Sequence, residues 1–150
     1  MRTYGFTLLE ILIIAAIALF LAIGSFSVYG NYNKSRSLEV SAQNIASLLK
    51  TARSKTLASN DASVFGVHFE TSRAVLFKGA TFSEPNVDNR EYRLPGVVTI
   101  STINLNGGGN DIIFERLTGE TQQFGTTTVS LTDSSKERNI TISATGIIEF

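Results

Sequence analysis

Residues 8–28 form an apolar run of 21 residues in which the only charged side chain is Glu10. As a helix the run spans about 30 Å, the thickness of a bilayer's hydrocarbon core. A short leader, Met1-Arg2-Thr3-Tyr4, precedes it. A secretory signal would end in a small-residue cleavage site after its apolar region. This run instead passes through Gly24-Ser25-Phe26-Ser27 straight into a further helical pattern, so it reads as a retained transmembrane helix. Arg2 favours a cytoplasmic N-terminus, and Lys34 and Arg36 beyond the far end nearly balance it. A carboxylate in such a segment costs up to roughly 2.5–3.5 kcal/mol at the bilayer centre, which makes Glu10 a candidate functional residue in search of a partner.

Past the run, Leu38, Ala42, Ile45, Leu49, Ala52 and Thr56 recur at spacings of four and three, one stripe of a helix. Lys34, Arg36, Glu39, Gln43, Lys50, Arg53 and Lys55 fill much of the rest, and Asn60-Asp61 stops the pattern. One helix over residues 6–59 is expected, with its weakest point at Gly24 to Gly30, where Gly and Ser lower helix propensity.

The pattern then changes to period two. Phe65, Val67 and Phe69 predict a half-buried strand, with His68 facing solvent. Glu70-Thr71-Ser72-Arg73 reads as a tight turn and 74–78 as the returning strand. Residues 79–90 read as an irregular loop, 91–94 as a short strand and 97–105 as a longer one. Asn106-Gly107-Gly108-Gly109-Asn110-Asp111 is a turn, and strands are expected at 112–114, 126–131, 138–143 and 146–150. The whole is α+β: a helix whose first part, to residue 30, reads as the membrane span, its continuation packed on the domain at 31–59, and an antiparallel β domain at 60–150. About 120 residues lie beyond the apolar run, enough for one small domain.

Thirteen basic and 13 acidic residues give no overall field toward nucleic acid. With no cysteine and one histidine there is no disulfide, and a structural zinc site has too few ligands. The triple glycine lies between two strands rather than at a helix start, so it is no phosphate cradle. Arg90, Arg93 and Arg116, interspersed with acids, read as a solvated surface. No nucleophile–base or carboxylate pair stands out, and the chain reads as a non-enzyme without cofactor or metal.

Gly5-Phe6-Thr7-Leu8-Leu9-Glu10 ahead of a long apolar helix resembles the processing signal of type IV prepilins and type II secretion pseudopilins. The resemblance implies cleavage between Gly5 and Phe6 by a membrane prepilin peptidase and methylation of the new amine of Phe6. It also implies that residues 1–5 are a prepilin leader, that 6–30 form the transmembrane and assembly helix, and that Glu10 is the acid that helps recruit the subunit into a filament. The stretch Ala46-Ser47-Leu48-Leu49-Lys50-Thr51-Ala52-Arg53-Ser54-Lys55-Thr56-Leu57-Ala58 is similar to that following the membrane helix of GspH/FimT-like minor pilins. Ile112-Ile113-Phe114 through Gly119, and Ile140-Thr141-Ile142-Ser143-Ala144-Thr145-Gly146, also resemble that family's strand-and-glycine endings. The implied fold is pilin-like. The implied role is that of a minor pilin or pseudopilin in a type II secretion pseudopilus or type IV pilus, near the tip. Its partners would be other pilins, the inner-membrane assembly platform, the peptidase and membrane lipid. The implied location is the inner (cytoplasmic) membrane, single-pass, with the N-terminus cytoplasmic and the β domain outside, and then the filament.

Three departures qualify the likeness. Ser25 to Ser27 stand where many pilins have a helix proline, and a disulfide-bounded C-terminal loop cannot form without cysteine. Gly146-Ile147-Ile148-Glu149 stands where some FimT members carry a basic Gly-Arg-x-Arg linked to DNA binding. The missing cations weigh against the alternative of a competence pilin that captures DNA. A plain membrane-anchored exported domain is the remaining alternative.

Overall fold

A computed structural model describes residues 5–59 and 62–150, with 23–29 described as backbone only. The chain divides into two compact units, Met1–Lys34 and Ser35–Phe150. One helix, α1 (Leu8–Leu57), contributes to both. It starts two residues later than the expected 6–59 because Thr7 caps it, and it ends two residues earlier. At that end the Ser59 amide bonds the Thr56 carbonyl at 3.0 Å and Ser59 turns left-handed at φ 49°. In the first unit every described side chain from 5 to 22 is exposed.

In the second unit the predicted stripe is the buried face of the helix: Leu38, Ala42, Ile45, Leu49, Ala52 and Thr56 are all buried, joined by Ser41 and Ala46. Small residues in this stripe let the helix lie close on the strands, while Leu and Ile fill the gaps. Thr56 is the polar member and has its partners. It accepts from the Phe65 amide at 2.9 Å and donates to the Ala52 carbonyl at 3.0 Å, fixing the helix end to the first strand.

Two four-stranded antiparallel sheets complete the unit. The first has the order β3-β2-β1-β5, from β1 (Phe65–Glu70), β2 (Arg73–Lys78), β3 (Arg90–Arg93) and β5 (Asp111–Ile113). The second has the order β4-β6-β7-β8, from β4 (Val98–Leu105), β6 (Gly125–Leu131), β7 (Glu137–Ile142) and β8 (Ile148–Glu149). The triple-glycine turn therefore joins two sheets rather than closing a hairpin, since β5 pairs with β1. A bulge at Ser101 breaks the alternation of β4. It keeps Val98 and Ile100 before it, and Ile103 and Leu105 after it, in contact with the same core.

The outer face of the first sheet is covered too. Val75 and Phe77 are buried outside the main core cluster. Phe82, from the 79–90 loop, meets the edge of the Phe77 ring at 5.6 Å and stacks on His68 at 4.0 Å. This corrects the expectation that His68 faces solvent: its side chain is only 18% exposed, and Nδ1 lies 2.5 Å from the Asp111 carboxylate. Alternation correctly placed His68 opposite Phe69, but a loop with an aromatic residue folds back over that face.

Arg73 ties the same loop down. Its guanidinium bonds Glu70 at 2.6 and 2.8 Å and Glu84 at 2.8 and 3.0 Å. Hydrogen bonding from Arg73 holds the Glu70 carboxyl below its ordinary 4.5. A depressed carboxylate contributes stability above its unfolded pKa and loses it as pH falls through the folded value. Arg73→Leu should therefore lower Tm at pH 7, and its gap from wild type should narrow as pH falls below about 4.5. Melting curves of both proteins between pH 7 and 3 check this; a gap independent of pH would contradict it.

Candidate functional site: the helix start and the Arg53 clamp

Thr7 sets the beginning of α1. Its carbonyl accepts from the Glu10 and Ile11 amides at 3.1 and 3.2 Å, and its Oγ1 lies 3.3 Å from the Glu10 amide. This is N-cap chemistry, with Glu10 three residues on in the first turn, where the helix dipole favours an acid. Gly5 and Phe6 consequently lie outside the helix, and Phe6 is 74% exposed. A Cβ built on Gly5 meets nothing within 4 Å, so no described neighbour demands a glycine there. The sequence-predicted trio Gly5, Phe6 and Glu10 thus sits within six consecutive exposed positions, 5–10, at one end of α1. Among the described residues no helix is long and apolar enough to cross a membrane. Residues 23–29, which carry the end of the apolar run, are described as backbone only.

A second constellation lies in the folded domain, built by residues far apart in sequence. Arg53, on the exposed margin of the packed stripe, donates from Nε to the Gly119 carbonyl at 3.0 Å and from Nη2 to the Thr145 carbonyl at 3.3 Å. Gly119 and Gly146 are left-handed, at φ 68° and 77°. They come so close that a Cβ on Gly146 would strike the Gly119 carbonyl oxygen and lie 2.7 Å from Arg53 Nε. One guanidinium thereby fixes two chain reversals against the helix, one between β5 and β6 and one between β7 and β8. The sequence singled out the Ala52-Arg53-Ser54 pattern and both glycine endings, but not their convergence. Among the described residues no group of three or more His, Cys, Asp or Glu could hold a metal ion.

The family described as Type II transport protein GspH matches residues 41–146. The chain belongs to the GspH family. The matched region starts on the packed half of α1 and ends at Gly146, so it contains the whole Arg53 clamp. Membership makes the chain a pseudopilin-type minor pilin of type II secretion, from a structural family rather than an enzyme family, whose members associate with other pseudopilins in a membrane-associated pseudopilus. The helix on antiparallel strands is the pilin-like α+β fold expected of a GspH protein. No curated protein and no solved structure matches the chain.

Proposed function

We propose that this GspH-family chain is made as a precursor, cut between Gly5 and Phe6 by a prepilin peptidase, and N-methylated on Phe6. The subunit is then held in the inner membrane by the helix of residues 6–30, N-terminus cytoplasmic and β domain outside, until it enters a pseudopilus near its tip. The observation that carries the proposal is that, among the described residues, nothing demands Gly5 or Phe6: glycine fills no tight space there and the aromatic ring lies exposed. Residue types unexplained by the subunit's own packing are explained by another protein that recognises them. An apolar helix exposed on all sides points the same way, since it is stable only against lipid or other helices.

Glu10 supplies the assembly contact. Cleavage creates an amine at Phe6, and in a filament the amine of one subunit neutralises the carboxylate of its neighbour in a low-dielectric surround. Glu10→Ala should leave processing intact, while incorporation into sheared pseudopili should fall roughly tenfold or more, the loss set by an unpaired buried charge. Quantitative blots of processed subunit and of sheared filaments separate the two steps. Entry into filaments at wild-type level would refute the pairing.

A further inference from the structure

We propose that the free edge of β8, with the groove beside it, docks an extended acidic segment of a partner protein, which adds to the second sheet as a fifth strand. The proposal concerns the Ser35–Phe150 unit and is independent of the cleavage and methylation above.

β8 ends its sheet, with β7 as its neighbour. The pairs are Thr141↔Glu149 and Ile142↔Ile148, and the Ser143 amide donates to the Ile147 carbonyl at 3.0 Å. The Ile147 amide in turn donates to Ser143 Oγ at 3.0 Å. In an antiparallel ladder the N–H and C=O of successive residues point to alternate sides. Ile147 points its backbone groups back toward β7, so Ile148 points its own toward the open side. Such an edge is a template for another strand.

The space along that edge is shaped to receive one. A groove of about 460 Å³ runs between Lys50, Arg53, Ser54 and Leu57 of α1 and the Ile147–Ile148 strand. Leu57 and Ile147 offer partly exposed apolar surface. Both ionisable side chains lining the groove are basic. Arg53 is engaged with the Gly119 and Thr145 carbonyls, whereas the Lys50 ammonium rests 5.4 Å over the Phe150 ring. Glu149 alternates to the strand face opposite the buried Ile148, the face it shares with Ile147. A strand that places a carboxylate beside Lys50 and apolar side chains toward Leu57 and Ile147 satisfies all three features together. A basic strand would meet like charge, and a helix would leave the Ile148 backbone unused.

The test is titration of the 15N-labelled full chain in detergent micelles with the peptide Ac-Val-Asp-Val-Glu-Val-Asp-NH2, against Ac-Val-Lys-Val-Lys-Val-Lys-NH2. Saturable amide shifts are expected at residues 50–57 and 146–150, with slowed exchange of the Ile148 amide, for the acidic peptide alone. Lys50→Glu should weaken binding roughly tenfold, with Lys50→Gln between it and wild type. No shift at millimolar peptide, shifts elsewhere, equal binding of the basic peptide, or indifference to Lys50→Glu would each overturn the proposal.

Discussion

Alanine in place of Gly5 is expected to leave the chain almost wholly in its precursor form. A peptidase pocket fitted to glycine meets an extra methyl, and one methylene-sized misfit in a fitted pocket is worth roughly 10–200-fold in rate. The same change should leave the folded domain untouched, because a Cβ on Gly5 meets no described atom within 4 Å. That contrast makes the experiment informative: the melting temperature is unchanged while processing, read as the mobility shift on a gel, collapses. Cleavage of the alanine variant at the wild-type rate would show that no enzyme reads this glycine.

Gly146→Ala is expected to do the opposite, damaging the fold and sparing the leader. The left-handed φ of 77° costs an L side chain about 1–2 kcal/mol. The new methyl must also displace the Gly119 carbonyl or the Arg53 guanidinium, which adds an overpacking cost of about 1–3 kcal/mol. Together these correspond to a fall in Tm of roughly 10 °C or more for a domain of this size. Because the methyl collides with the clamp itself, its cost should be smaller in an Arg53→Ala background, giving a coupling of about 0.5–3 kcal/mol in a double-mutant cycle. Additive effects of the two changes would mean that Arg53 and Gly146 do not form one unit.

The two sites differ in how far the sequence discloses them. The helix stripe from Leu38 to Thr56 and the strand alternation of Phe65, Val67 and Phe69 are local periodicities, and packing preserved them. The motif at Gly5, Phe6 and Glu10 is contiguous and so legible without a fold. Arg53 binds carbonyls 66 and 92 residues away, and no local pattern carries such a pairing. His68 failed for a related reason: alternation fixes which face a residue is on, but not whether a distant segment such as Phe82 covers that face. The split into two sheets was hidden likewise. The glycine turn after β4 looks like a hairpin until β5 is seen to pair with β1, a choice made by the core and not by the turn.

Among the described residues no neighbour demands Gly5 and Phe6 is exposed, yet these two belong to the most specific signal in the sequence. The two facts fit together if the domain serves the pseudopilus and the N-terminus serves the machinery that builds it. The mass of the N-terminal peptide from the protein expressed beside its own prepilin peptidase tests this most directly. A chain that begins with N-methylated Phe6 is the expected result. A chain that retains Met1 through Gly5 would contradict it.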